Sequence, residues 1–358
     1  MRRRIFLAPV LAAAAWLTAS PGSAATGGAA VPTCALPGEN LMSWPTGSPV
    51  WQFCWLHPTD SSGGNGSGLE IRNLYYKGHL VMKRGHVPIL NVLYDAGGCG
   101  CYRDWSYQEV RFQANNVISP GYAEPTVPPL TVCDTGGSGG DIGSFTGVAA
   151  EKLPDRLILT TQFEAGWYRY TMKWRFYLDG RIEPVFGFAA INSSCIAFSH
   201  RHHAYWRFDF DIDTPSPAVV TENAKPSSSE RPPVLDPPVI LTSETKRLNT
   251  AAGLSWSITN TTTGRGYLVV PGAEVADLPA DAFAVGDAWF LKYKSNELDD
   301  TGVPGTGCPI NIGGFINGES TSSGVVMWYR GGALHAGGDL QECHLVGPTL
   351  VPLGDWGP

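Results

Sequence analysis

Charged residues are scarce in this chain of 358 residues. Asp, Glu, Lys and Arg together make up 16%, and only 25 residues are Lys or Arg. Binding to nucleic acid depends on clustered Lys and Arg that contact phosphates. The formal net charge of −7 therefore argues against a nucleic-acid partner, and it is compatible with a cationic small molecule, since net charge acts mainly through solubility and steering.

The chain also lacks an apolar segment long enough to span a membrane. Its one apolar stretch, residues 5–17, is shorter than the roughly 20 residues that a transmembrane helix needs, and Pro9 interrupts it. Three Arg precede this stretch and small residues at 23–25 follow it, which is the pattern of a cleaved signal peptide. We therefore predict a signal peptide over residues 1–25, a tail over 26–49, and a secreted, extracellular mature protein with no membrane span.

No segment has a clear apolar period of 3.6 residues, which argues against a mainly helical fold. The chain is instead rich in Gly (43), Pro (28) and aromatic residues (12 Trp, 13 Tyr and 14 Phe), as is typical of short strands joined by turns. Asp179-Gly180 between two aromatic segments predicts a hairpin, and the Pro- and Ser-rich residues 213–238 predict a long connection. The predicted fold class is all-β, a large antiparallel β-sandwich over residues 50–358.

The eight cysteines all lie outside the predicted signal peptide. An even number of cysteines in an exported chain favours disulfide bonds. The connectivity cannot be derived from the sequence. Proximity suggests Cys34 with Cys54, and one of Cys99 or Cys101 with Cys133.

Three of the eight histidines lie together at positions 200, 202 and 203. Because residues i and i+2 of a strand point to the same face, His200 and His202 can present two imidazoles to one metal ion, whereas His203 faces away. The aromatic residues 205–213 that follow indicate a core strand. Imidazole suits copper, zinc or iron, and a stable site needs a third ligand. The sequence therefore predicts a metal site and leaves the choice between copper and zinc open.

The residues around this pair resemble the catalytic domain of the copper amine oxidases. In that family an H-x-H pair leads into a strand ending in Arg-apolar-Asp-x-x-Ile-Asp, which matches residues 207–213. The family's third copper ligand lies seven residues after a Trp that ends an apolar strand, and His335 lies seven residues after Trp328. The resemblance implies the β-supersandwich fold of that domain and a copper ion bound by His200, His202 and His335.

The same resemblance implies two catalytic residues. The family makes its cofactor, topaquinone, from a tyrosine of its own chain, and counting back from Asp179 places Tyr168 at that position. The family's catalytic base is the Asp of an aromatic-Asp-x-Gly-Glu segment, which residues 94–97 match, so Asp95 is the candidate base. Such a base needs apolar surroundings that raise its pKa.

The activity implied by the resemblance is oxidative deamination of a primary amine by O2, which yields aldehyde, ammonia and hydrogen peroxide. The expected partners are therefore the amine and O2, and a homodimer is expected because family members are usually dimers. Asp209 and Asp211 resemble the family's peripheral calcium site, and alternating carboxylates suit this cation. The match begins near Trp51, so the family's small N-terminal domains have no counterpart in it.

Two departures from the family pattern keep a second function open. Trp167 and Arg169 flank Tyr168, whereas the family has Asn before its tyrosine and Asp or Glu after it. The alternative is therefore a copper-binding protein, or a copper oxidase of this fold, that lacks the quinone cofactor.

Overall fold

The computed structural model describes thirteen stretches of the chain, and the predicted signal peptide lies outside them. In the described residues no helix combines the length and the hydrophobicity that crossing a membrane requires. The described residues are 31–63, 66–95, 99–103, 110–111, 122–124, 130–135, 147–190, 193–224, 238–248, 253–272, 285–300, 310–338 and 343–357.

Two large sheets contain the strands of this part of the chain. Those of the first sheet are β1 (Asn40–Trp44), β2 (Trp51–Leu56), β3 (Glu70–Tyr76), β4 (His79–Tyr94), β5 (Cys101–Arg103), β12 (His200–Phe210), β15 (Thr245–Arg247), β18 (Ala288–Lys292) and β19 (Val325–His335). Those of the second sheet are β6 (Val110–Arg111), β7 (Tyr122–Ala123), β8 (Val148–Lys152), β9 (Arg156–Ala165), β10 (Tyr168–Tyr177), β11 (Ile182–Ala190), β13 (Ala218–Ala224), β14 (Val239–Leu241), β16 (Leu254–Asn260), β17 (Gly266–Val270), β20 (His344–Val346) and β21 (Thr349–Leu353). Short helical turns are α1 (Val132–Thr135) and the 3-10 helices Pro58–Asp60, Ser194–Ala197 and Ile312–Phe315.

The first sheet runs β1-β2-β3-β4-β12-β19-β18-β15, with β5 beside β4. The second runs β14-β13-β16-β17-β21-β11-β10-β9-β8-β7, with β20 beside β11 and β6 beside β9. The strand pairs are antiparallel except β7 with β8. The prediction of a large antiparallel β-sandwich is therefore confirmed, and β10 to β11 form the hairpin predicted at Asp179-Gly180.

Aromatic side chains from both sheets fill the space between them. The rings of Trp174 and Trp206, one from each sheet, meet edge to face with centroids 5.4 Å apart. Gly85 in β4 makes room for this pair, since a Cβ there would lie 2.6 Å from the Trp174 ring. The indole N–H of Trp51 donates to the carbonyl of Tyr177 across the sheets at 2.8 Å. Each buried aromatic side chain removes roughly 150–250 Å² from water, so these contacts hold the sheets together.

Two strands lie where the sequence predicted none. Strand β1 falls in the predicted tail 26–49, so the first sheet begins before residue 50; its Trp44 pairs with Trp51 and both indoles are buried. Strand β13 falls in the predicted connection 213–238 and pairs with β16, with Val220 fully buried. The neighbouring Gly, Pro and Ser hide the short alternation of both strands. Strand β1 pairs with the next strand, β2, whereas β13 pairs with β16 further along the chain.

The disulfide bonds confirm one predicted pair and correct the other. Cys34 is bonded to Cys54 as predicted. Cys99 is bonded to Cys195 and Cys133 to Cys343, so the pairing of Cys99 or Cys101 with Cys133 is wrong. These bonds join residues 96 and 210 positions apart, and proximity in sequence cannot predict them because the sheets bring distant segments together.

Candidate metal centre

Three buried histidines meet at the end of two paired strands. His200 begins β12 and lies directly opposite His335, the last residue of the antiparallel strand β19. His202 follows on the same face of β12, and all three side chains are fully buried. One ligand atom from each lies within 4.8 Å of the others, and no other group of three or more His, Cys, Asp or Glu side chains is so placed in the described residues. The structure therefore brings together the predicted trio.

His200 is held in one orientation by the backbone that precedes it. Its Nδ1 donates to the carbonyl oxygen of Phe198 at 2.7 Å, which leaves Nε2 as the atom able to bind a metal. Burial lowers the pKa of His200 to about 4, with the imidazoles of His335 and His344 adding to the effect and the Phe198 hydrogen bond opposing it. The imidazole is therefore neutral at neutral pH, as a metal ligand must be.

His202 gives the strongest evidence for a metal ion at this site. Both of its ring nitrogens are buried and have no hydrogen-bond partner among the described residues. Burial, followed by the charges of His200 and His335, lowers the pKa of His202 well below its usual range. Its ring stacks on Phe188 with centroids 4.9 Å apart. A buried polar group without a partner is costly, and a metal bound by one of its nitrogens removes that cost. The three imidazoles thus fit copper, and they also suit zinc.

Tyr168 reaches the trio from the opposite sheet. It is the first residue of β10, its side chain is buried, and its hydroxyl is in hydrogen-bond contact with both His200 Nε2 and His335 Nδ1. Its ring lies 4.1 Å, centroid to centroid, from that of His202. The phenol oxygen therefore sits between two of the atoms predicted to bind the metal.

Asp95 is not brought into this buried group. Its carboxylate forms an ion pair with Arg201, and 45% of its side chain is exposed. Arg201 alternates with His200 along β12 and so points to the other face of the sheet. Asp95 therefore lacks the apolar surroundings expected of a catalytic base. Its role as the base stays a prediction.

The centre includes contacts that the sequence did not point to. The ring of Tyr94 stacks on His200 with centroids 4.5 Å apart, and the ring of His344 lies 4.9 Å from that of His335. Tyr94 is the partner of His200 across β4 and β12, and His344 is the partner of Phe188 across β20 and β11. Only strand register places these residues here, so no local sequence signal could have found them.

The calcium site expected at Asp209 and Asp211 has no third His, Cys, Asp or Glu side chain as a ligand in the described part of the chain. Both carboxylates are buried. Burial raises the pKa of Asp209, and burial followed by the charge of Asp209 raises that of Asp211 to about 6. The structure therefore gives no support to calcium at this pair.

The raised pKa of Asp211 predicts a pH-dependent gain in stability for Asp211→Asn. A carboxyl whose pKa is about 6 in the folded state and 3.8 in its ordinary range stabilises the fold below pH 3.8, and this contribution is lost as the pH rises through 6. Relative to wild type, the variant should gain about 2 kcal/mol in unfolding free energy between pH 4 and pH 8. Denaturant titrations at both pH values measure this gain.

Asp213→Asn is the matched control, because its effect has the opposite sign. Burial acts to raise the pKa of Asp213, but hydrogen bonds, first from Arg265, outweigh it and lower this pKa. This variant should therefore lose stability relative to wild type as the pH rises to about 4, and it should change little between pH 4 and pH 8. The gain of Asp211→Asn should be the same with and without added calcium, and a gain that calcium abolishes would indicate that the pair binds calcium.

Solved amine oxidases share this fold. Aspergillus nidulans amine oxidase aligns with 95% of this chain and 55% of its own, at 16% identity and a TM-score of 0.60. A copper-containing benzylamine oxidase from Hansenula polymorpha aligns over 92% and 63%, at 15% identity and 0.59. Pichia pastoris lysyl oxidase aligns over 86% and 52%, at 16% identity and 0.58. No protein-family model and no curated protein matches the sequence.

The fold and the centre define the class: an all-β protein with the fold of the copper amine oxidases and a buried group of three histidines typical of a copper site. Within that class this chain is a divergent form of the catalytic-domain fold, matched across about nine-tenths of its length at low sequence identity. It spans between about half and 63% of the length of the oxidases compared.

Proposed function

We propose that this protein is a secreted copper-dependent oxidase that converts a primary amine and O2 to an aldehyde, ammonia and hydrogen peroxide, with topaquinone derived from Tyr168. One observation carries the proposal: the Tyr168 hydroxyl contacts two of three buried imidazoles. A phenol in contact with prospective metal ligands is placed for metal-dependent oxidation. When bound, the copper and the quinone would supply the two-electron oxidation of the amine and the return of electrons to O2.

The residues of the chain have separate tasks in this proposal. His200 would bind the metal through Nε2, because Phe198 occupies Nδ1, and His202 and His335 would complete the ligand set. The backbone of Tyr168 is fixed by Arg169, whose buried guanidinium donates to the carbonyls of Gly166 and Tyr168 at 2.9 and 2.8 Å. The two sheets exclude water from Tyr168, which lengthens the life of reactive species formed there.

Asp95 is proposed as the group that takes the proton from the carbon next to the amine nitrogen. Its ion pair with Arg201 would have to open for that task, since a carboxylate paired with a guanidinium is a poor base. The backbone N–H of Asp95 donates to the Ser199 carbonyl at 2.9 Å, which ties this segment to the residue before His200. Asp95 is thus close to the centre along the backbone, although its side chain points elsewhere.

The second candidate function is a copper protein of this fold without the quinone. The ion pair of Asp95 favours it, because the proposed amine chemistry needs a free base. Trp167 and Arg169 also favour it, because they replace the Asn and the acidic residue expected beside a tyrosine that becomes topaquinone. A zinc ion would fit three imidazoles as well. The disulfide bonds are typical of proteins outside the cytosol and support secretion under either candidate. The homodimer and the amine and O2 as partners remain proposals.

Aerobic copper loading of the wild-type protein tests the proposal. We expect a visible quinone absorbance and a positive quinone stain to develop after Cu(II) is added, and hydrogen peroxide to form when a panel of primary amines is supplied. Loading with Zn(II) is the control, because zinc has no redox chemistry and should give neither signal. Tight copper binding without absorbance or peroxide would favour the second candidate, and failure to bind copper would reject both.

A further inference from the structure

Trp167 links the two sheets beside the metal centre. It lies in the turn between β9 and β10, directly before Tyr168, and so belongs to the second sheet. Its indole N–H donates to the hydroxyl of Tyr94 at 2.8 Å, and Tyr94 is the last residue of β4 in the first sheet. One hydrogen bond therefore connects the strand that carries Tyr168 to the strand next to His200.

Tyr94 also contacts the imidazole of His200, which is proposed to bind the metal. Its ring lies nearly parallel to that of His200, with an angle of 23° and centroids 4.5 Å apart. The remaining positions of the His200 ring are held by the Phe198 carbonyl at Nδ1 and the Tyr168 hydroxyl at Nε2. Tyr94 thus packs on one face of the imidazole and limits its tilting toward that side.

Further side chains pack against Tyr94 and Trp167. The ring of Tyr102 meets both partners edge to face, with centroids 6.2 Å from Tyr94 and 5.7 Å from Trp167. The disulfide between Cys99 and Cys195 packs in the same cluster. This bond joins the segment after Tyr94 to the 3-10 helix before β12. Such backing restricts movement of Tyr94 and Trp167, as pre-organisation of a metal ligand requires.

We propose that Trp167 is a positioning residue that fixes the imidazole of His200 through Tyr94, and with it the geometry of the metal and of Tyr168. This inference rests on the proposed copper site. Contacts to the non-ligating parts of a metal-bound histidine set its orientation, and their loss typically lowers metal affinity 10–100-fold. The indole beside Tyr168 would therefore tie the two sheets together at the point where the tyrosine and the ligand meet.

The test uses Trp167→Phe, Tyr94→Phe and the double variant, with Cu(II) alone as the probe. Each single variant keeps an aromatic ring but removes one partner of the hydrogen bond. We expect each to weaken Cu(II) binding about tenfold and to shift the copper hyperfine splitting in the electron paramagnetic resonance spectrum. The double variant should be no worse than either single one, because all three lose the same bond.

Trp356→Phe is the matched control, because it also removes one indole hydrogen bond. That bond runs from the Trp356 indole to the Leu353 carbonyl at 2.9 Å. Trp356 lies beside His79, at the other end of β4 from Tyr94. It should lower the melting temperature without changing the copper spectrum. If Trp167→Phe and Tyr94→Phe behave like this control, Trp167 only packs and the inference is overturned while the copper site stands. If the wild-type protein binds no copper, the proposed function fails, and the inference fails with it.

Discussion

Replacing His202 with alanine should lower the affinity for Cu(II) at least about 100-fold, because the loss of a ligand exceeds the 10–100-fold effect of losing a partner behind one. The imidazole of His202 is fully buried, and its two nitrogens have no hydrogen-bond partner in the part of the chain that the structure describes. A metal ion is the partner that makes this burial favourable. Equilibrium competition with a chromophoric copper chelator, with metal content measured on the isolated protein, gives the affinity.

The metal-free protein should respond in the opposite sense. Without copper, the unpaired imidazole destabilises the fold, so His202→Leu should unfold at the same or a higher denaturant concentration than metal-free wild type. In the presence of copper the same variant should be the less stable one, because the wild type gains binding free energy that the variant lacks. This reversal distinguishes a ligand from a residue that only packs.

His203→Gln is the matched control for both measurements. His203 is the next residue and is equally buried, but it points to the other face of β12, where its Nδ1 lies 3.3 Å from an Arg330 nitrogen. Copper affinity should stay within about threefold of wild type, since no ligand is removed. Equal copper loss in the His202 and His203 variants would mean that the effect comes from disturbing the strand, and the ligand assignment would then be wrong.

The sequence predicted the metal ligands better than the residues around them. The ligands follow from local patterns, whereas the surrounding contacts depend on pairing between segments distant in sequence. The pairing of His200 with His202 follows from strand alternation, which is local. His335 followed from the resemblance to the copper amine oxidases in the residues around Trp328. The alignment of His335 with His200 across β12 and β19 agrees with both. Tyr168 was placed by its distance from the Asp179-Gly180 turn, and its contact with the trio depends on how the two sheets stack.

Contacts that depend on the register between distant strands could not be predicted from the sequence. Asp95 fits a motif, but its ion pair with Arg201 depends on the alignment of β4 with β12. Trp167 stood out only as a departure from a pattern, and its bond to Tyr94 spans the sandwich. The fold class was within reach because it follows from composition and alternation. Strand β1 was missed for a different reason, because the Gly, Pro and Ser around it hide its short alternation although it pairs with the neighbouring strand β2.

Replacing Tyr168 with phenylalanine should remove the quinone absorbance and reduce amine-dependent peroxide release to background, while copper remains bound. Conversion to a quinone begins from an electron-rich phenol, and phenylalanine has no hydroxyl to supply one. The three imidazoles are unchanged in this variant, so copper should still bind. The measurements are the visible spectrum after aerobic copper loading, a peroxide assay with amines, and the mass of the peptide that carries residue 168.

Tyr170→Phe is the control that assigns the signal to one ring. Tyr170 lies two residues further along β10 on the same face, its ring stacks on that of Tyr168 with centroids 5.6 Å apart, and it is equally buried. The phenol of Tyr168, by contrast, contacts two ligand nitrogens. The band should therefore persist in Tyr170→Phe. If Tyr170→Phe alone loses the band, the modified residue is Tyr170. If the wild-type protein binds copper and shows no band, a copper protein in which Tyr168 keeps its phenol beside the metal is favoured.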